Sequence, residues 1–145
     1  MSITLDGSSL TIEKLEKIAG TVPQPFQKLM YRFWPGPLTL IFPGAQNISS
    51  LLTGPTNTIG IRISSHPVAI ELCRKWSKPV TATSANISGH PPATCADEII
   101  RYFGDKIDLI IDGGVAATPQ CSTIATVEGD RLRVIRSGMI EIKTD

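Results

Sequence analysis

The sequence predicts an α/β domain, and three observations lead there. Short apolar runs of strand length recur between segments whose apolar residues fall at helical spacing. Glycine, proline, serine and asparagine gather between them, as they do where one element turns into the next. Finally, 145 residues with 41% hydrophobic content have the size of one domain and can bury a core. We therefore expect a single domain over residues 1–145.

In chain order, Ile3 to Leu5 reads as a strand and Asp6 to Ser9 as a turn. Ile12, Leu15, Ile18 and Ala19 share a helical face between Thr11 and Gly20. A second helix starts at Pro23 or Pro25 and carries Phe26, Leu29, Met30, Phe33 and Trp34, until Pro35, Gly36 and Pro37 end it. Leu38 to Phe42 is a continuous apolar run, the pattern of a strand covered on both faces. Pro43 to Asn57 is turn-rich, with Ile48, Leu51 and Leu52 as an anchoring turn. Thr58 to Ile63 follows as a strand with Ile59, Ile61 and Ile63 on one face and Thr58, Gly60 and Arg62 on the other. Ser65 and Pro67 resemble a cap and a helix start, followed by the stripe Val68, Ala69, Leu72, Cys73 and Trp76. Val80 to Thr83 reads as a short buried strand that stops at the polar turn of Ser84, Asn86, Ser88 and Gly89. Thr94 and Asp97 fit a capping box for a helix that ends at Gly104, and Ile107 to Asp112 reads as another strand. Ser122 to Val127 and Arg131 to Arg136 form a hairpin across Glu128, Gly129 and Asp130. Arg136 then lies in phase with Leu132 and Val134, toward a covered face, unless twist or the following turn carries it to solvent.

Composition narrows the function classes. A formal charge of +1, with acids and bases interspersed, lacks the broad footprint of a dedicated nucleic-acid binder, though a local basic patch stays open. The apolar runs are too short to span a bilayer, and the first ten residues carry no signal-peptide pattern, so we expect a cytoplasmic protein with no membrane partner. Cys73, Cys95 and Cys121 match neither a zinc nor a redox spacing and read as buried thiols. With only His66 and His90 and no HExxH, no protein-built metal site is expected.

Four polar clusters stand at strand ends: Thr58 with Arg62, Ser84 with Asn86, Ser122 with Thr123, and Arg136. In an open α/β sheet such ends can converge on one crevice, and two arginines with several hydroxyls suit a phosphate or carboxylate. Each has a plainer reading. Arg62 can be an edge arginine paired with a carboxylate, and Ser84 and Asn86 can serve only their own turn. No phosphate-binding glycine loop is present.

Six ordered segments change the weight of these readings. FWPGPLTLIF at Phe33 to Phe42, TIGIRISSHPVA at Thr58 to Ala69, TSANISGHPP at Thr83 to Pro92, IDLIIDGG at Ile107 to Gly114, CSTIATV at Cys121 to Val127 and RVIRSG at Arg133 to Gly138 together resemble the YrdC/Sua5 family of threonylcarbamoyl-AMP synthases. The resemblance implies a twisted open mixed sheet flanked by helices, with a concave ligand cleft. It implies condensation of L-threonine, bicarbonate and ATP to threonylcarbamoyl-AMP and pyrophosphate, a step of t6A tRNA modification, with Mg2+ accompanying ATP. By motif, Arg62 would bind the threonine carboxylate, with Ser122 and the main chain of Ala82 also on the threonine side. Thr58, Ser84, Pro92 and Arg136 would serve ATP, and Ser84 with Asn86 would be half of a catalytic Lys-Arg-Ser-Asn tetrad. The Lys-x-Arg half has no counterpart before Ile3. The resemblance therefore implies a domain N-terminally truncated relative to the family, with weak or absent synthase activity and an uncovered edge that favours self-association. The alternatives are an RNA- or tRNA-binding or regulatory module of the same fold, including double-stranded RNA binding, and a fragment of the similar domain in hydrogenase-maturation carbamoyltransferases.

Overall fold

The computed structural model describes residues 2–5, 7, 11–116 and 121–143. Its elements run β1 (Ser2–Leu5), α1 (Ile12–Ala19), α2 (Gln24–Phe33), β2 (Leu38–Pro43), α3 (Ser50–Thr53), β3 (Thr58–Ile63), α4 (Pro67–Trp76), β4 (Val80–Ala82), α5 (Ala96–Phe103), β5 (Thr123–Glu128) and β6 (Arg131–Arg136). The chain forms two compact bodies, one with the residues up to Ala82 and from Cys121 onward, the other with those from Thr83 to Gln120.

The first body is a six-stranded mixed sheet in the order β4-β1-β3-β2-β5-β6. β1 runs parallel to β3 and antiparallel to β4, β2 runs antiparallel to β3 and parallel to β5, and β5 and β6 form the hairpin. Strand periodicity decides its two faces. Ile3, Leu5, Ile59, Ile61, Ile63, Leu38, Leu40, Phe42 and Ala125 line one face and are buried with Leu15 and Ala19 of α1 and Phe26 of α2. Phe26 meets Phe42 edge-on at 4.9 Å between ring centres. Full burial of each such side chain contributes about 1.5–3 kcal/mol, so this face anchors the sheet.

Local signals explain the helix ends. The Thr11 side chain accepts from the Lys14 N–H at 3.3 Å to start α1, and Gly20, at φ +68°, closes it. α2 stops where Trp34 turns extended ahead of Pro35, and its indole donates to the Leu38 carbonyl at 2.8 Å. The Gly36 N–H donates to the Ile63 carbonyl at 2.8 Å, and a Cβ at Gly36 would run into the Phe33 carbonyl. The Trp-Pro-Gly-Pro turn is thereby fastened to the end of β3.

Several expectations are corrected. β4 is an edge strand, half-exposed and ending at Ala82, because only β1 pairs with it. The stripe on α4 is buried only at Cys73, while Val68, Leu72 and Trp76 are exposed. His66 precedes α4 as its cap residue rather than Ser65, with its N–H on the Ser64 hydroxyl. Leu51 is exposed, leaving Ile48 and Leu52 to pack on the core. Cys73 is buried, but Cys95 and Cys121 are only half-buried. The turn expected at Asp6 to Ser9 lies outside the described residues apart from Gly7.

In the second body, Ile107 to Asp112 is not a strand: it has no ladder partner among the described residues, Leu109 and Ile111 are exposed, and the Asp112 carboxylate accepts from the Gly114 N–H. α5 begins one residue after Cys95, and the acid that serves its start is Glu98 rather than Asp97. Glu98 accepts from the Thr94 N–H at 2.7 Å and the Thr94 hydroxyl at 3.1 Å, and these bonds hold its carboxyl below the usual range.

Candidate functional site

The face of the sheet opposite the helical core is built from the alternate residues of each strand. Ser2 pairs with both Ala82 and Gly60, and Gly60 with Ile41, so these four form a row across β4, β1, β3 and β2. The next row holds Val80, Thr4 and Arg62, and continuing the β2–β3 register by one residue sets Thr39 opposite Arg62. Thr39 then pairs with Ile124, and Ile124 with Arg136. One row thus crosses all six strands with Arg62 near its middle and Arg136 at its end.

A β-bulge puts Arg136 in that row. Strict alternation from Leu132 and Val134 would aim it at the core face, but the register shifts between Ile124 and Ala125, so Ala125 faces Val134 while Ile124 faces Arg136. The arginine is exposed, and its Nε and Nη2 donate to the Ser122 carbonyl at 3.2 and 2.9 Å, with Nη2 also 3.3 Å from the Ser122 hydroxyl. Ser122 Oγ lies 3.1 Å from Thr39 Oγ1.

Beneath this cluster Thr123, fully buried, points to the core face. Its hydroxyl donates to the Ile140 carbonyl at 2.6 Å and accepts from the N–H groups of Gly138 and Ile140 at 3.1 and 3.0 Å. A Cβ at Gly138 would collide with the backbone from Cys121 to Thr123. The Arg-Ser-Gly motif therefore folds back on the strand that carries Ser122.

Arg62 is the half-buried charge of the face. Its Nε is buried with no hydrogen-bond partner, and no carboxylate forms an ion pair with it among the described residues. Burial, and secondarily the charge of Arg136, lowers its pKa. Beside it, Gly60 leaves the floor open: a Cβ there would sit 3.3 Å from Ile41 Cδ1, Ser2 Cβ and Thr39 Cγ2. An uncompensated guanidinium beside a hydroxyl pair and a second arginine can bind an anion such as a carboxylate or a phosphate.

The structure brings Arg62, Ser122 and Arg136 onto one face. Ala82 lies one row away, its carbonyl accepting from the Ser2 hydroxyl at 3.2 Å. Thr58 shares the face but stands four residues along β3 from Arg62, roughly 13 Å by strand rise, and its hydroxyl bonds that of Thr56 at 2.8 Å.

In the second body, Ser84 and Pro92 are exposed and Asn86 is half-buried. The loop closes on itself: the Ala93 N–H donates to the Ala85 carbonyl at 2.9 Å, and the His90 N–H to the Ile87 carbonyl at 2.9 Å around Gly89 at φ +83°. The Asn86 amide nitrogen donates to the carbonyls of Ile87 and His90 at 3.1 and 2.8 Å. With both N–H donors spent, the side chain can offer a ligand only its oxygen.

Among the described residues, no group of three or more His, Cys, Asp or Glu could hold a metal ion, and no helix is long and apolar enough to cross a membrane. Sequence reading missed Ser2, Thr4 and Thr39. Thr39 is the one hydroxyl inside an apolar run, a visible signal, but only the strand register reveals that it faces Arg62.

Comparison with known proteins agrees with this architecture. The family model Sua5/YciO/YrdC, described as telomere recombination, matches residues 9–138. A threonylcarbamoyl-AMP synthase of Pyrococcus abyssi is 40% identical over 104 residues, covering 72% of this chain and 31% of its own length. One of Bacillus subtilis is 37% identical over 130 residues, covering 89% of this chain and 38% of its own. The chain thus spans about a third of the length of these two relatives. The crystal structure of P. abyssi Sua5 with L-threonine superposes with a TM-score of 0.83 at 35% identity, over 94% of this chain and 39% of that one. With a mixed open sheet of that form and the family pattern running through nearly all of its length, the chain belongs to the Sua5/YciO/YrdC family.

Proposed function

We propose that this chain is a threonylcarbamoyl-AMP synthase domain that holds L-threonine by its carboxylate on Arg62. The observation that carries the reading is the buried, unpartnered Nε of Arg62. A buried charged donor without an acceptor is costly, and a carboxylate there would supply a charge-assisted, short hydrogen bond. The names of the relatives and the threonine complex of the P. abyssi protein support the same ligand. Ser122 and the main chain of Ala82 serve the threonine side, and Thr58, Ser84, Pro92 and Arg136 the ATP side.

In the proposed reaction the threonine amine adds to bicarbonate to give a carbamate with loss of water. A carbamate oxygen then attacks the α-phosphate of ATP, and pyrophosphate leaves. Arg136 offsets negative charge on the nucleotide, and Ser84 donates to a phosphate oxygen. The Asn86 oxygen fits a hydroxyl, an amine or a cation and not a phosphate oxygen, so it suits Mg2+, which when bound with ATP neutralises phosphate charge. An RNA-binding or regulatory role is not favoured, since the relatives are named for synthesis and the formal charge is only +1.

Pyrophosphate release from ATP by these 145 residues tests the reading. We expect release that depends on L-threonine and bicarbonate, slower than that of a longer relative because the Lys-x-Arg pair is not among these residues. Binding of neither L-threonine nor ATP at millimolar concentration would contradict the assignment. A rate equal to the longer relative's would show that the pair is dispensable.

A further inference from the structure

The two arginines of the sheet face repel one another, yet no carboxylate holds either in place among the described residues. What restrains Arg136 is neutral: the carbonyl and hydroxyl of Ser122. Ser122 Oγ is in turn 3.1 Å from Thr39 Oγ1, and Thr39 is almost fully buried, with 4% exposure, in the row beside Arg62. The chain Thr39–Ser122–Arg136 therefore begins next to one guanidinium and ends at the other.

Hydrogen counting bounds the bonding of these groups. Arg136 only donates, so Ser122 Oγ is an acceptor toward it. The two hydroxyls carry two protons and share one bond, which leaves one proton for an outside acceptor. With Thr39 present, the Ser122 hydroxyl is held between two partners; without it, that hydroxyl keeps only Arg136, and one of the three bonds that anchor the guanidinium loses its support.

We propose that Thr39 is a positioning residue: its buried hydroxyl orients Ser122 toward L-threonine and, through Ser122, steadies Arg136, the nucleotide-side arginine at the end of the same row. This rests on the reading of the face as the L-threonine end of the site. Thr39 itself sits in a strand whose other residues are apolar, and Val is close to Thr in shape, so Thr39→Val removes the hydroxyl while keeping a β-branched side chain in the strand.

The experiment compares the unaltered chain with Thr39→Val and Thr39→Ser. L-threonine affinity is measured by calorimetry, and the arginine side-chain Nε–H signals by nitrogen-resolved NMR. We expect Thr39→Val to keep its melting temperature within a few degrees, to bind L-threonine about tenfold more weakly, the loss of about 1.4 kcal/mol that one tethering hydrogen bond supplies, and to broaden or shift the Arg136 Nε–H signal. Thr39→Ser should restore both, which a purely structural role for the threonine methyl would not. Unchanged affinity together with an unchanged Arg136 signal in Thr39→Val overturns the proposal. If the unaltered chain does not bind L-threonine, the proposed function fails, and the Arg136 signal alone decides the role of Thr39: altered in Val and restored in Ser supports it, unaltered in Val overturns it.

Discussion

Arg62 and Thr123 show how single residues on two faces of one sheet divide the work. Arg62 is legible in the sequence as a candidate anion contact, because it stands two residues from Gly60 on the polar side of an isoleucine-patterned strand. Its want of a partner was not legible, since that depends on what the neighbouring strands place beside it. Thr123 read as a candidate ligand group with Ser122, and the structure assigns it to the core instead. Its three hydrogen bonds tie the segment after β6 to the start of β5. Thr123→Val should therefore destabilise the fold by roughly 1–3 kcal/mol, since the part-buried N–H groups of Gly138 and Ile140 lose their acceptor. Thr123→Ser keeps the bonds and should cost no more than about 1 kcal/mol. Urea unfolding of the two variants checks this, and equal losses for both would show that the methyl, not the hydroxyl, matters.

At the level of elements, β2, β3, β5 and β6 lie within a residue of the bounds their patterns predict, whereas the run from Ile107 to Asp112 forms no strand. β3 matches its expected bounds because isoleucine alternates with Thr, Gly and Arg, and only one register buries all three isoleucines. Ile107 to Asp112 looked equally apolar, but a strand also needs a neighbour, and a short run does not reveal one. The bulge in the β5–β6 hairpin is another feature hidden from periodicity, and it reverses the side on which Arg136 emerges. Gly60 is where element and site meet. Gly60→Ala would press a methyl group to 3.3 Å against Ser2, Ile41 and Thr39, and overpacking of that kind costs about 1–3 kcal/mol. We expect a lowered urea midpoint together with weaker L-threonine binding. A variant as stable as the parent that binds as tightly would show that the floor of the site lies elsewhere.

Across the six strands of the first body, one row of the sheet carries Thr39, Arg62 and Arg136. Family motifs far apart in sequence, from Phe33 to Gly138, are explained in the first body by strand order: Thr39, Arg62 and Arg136 come from β2, β3 and β6, and β5 adds Ile124 to the row. The motifs were recognisable as residues in order, but their adjacency follows only from the order β4-β1-β3-β2-β5-β6, which no local pattern encodes. The loop of Ser84 and Asn86 belongs to the second body, and there the plainer reading holds in part, because the Asn86 amide does fasten its own turn. The central claim is that the unpartnered Arg62 Nε–H receives the carboxylate of L-threonine. Titrating the chain with L-threonine, and in parallel with L-threoninol, which lacks the carboxylate, while following the Arg62 Nε–H signal by NMR tests this directly. We expect a saturable shift of that signal with L-threonine and none with L-threoninol; a signal that stays fixed with both, or moves equally with both, would rule out carboxylate binding at Arg62.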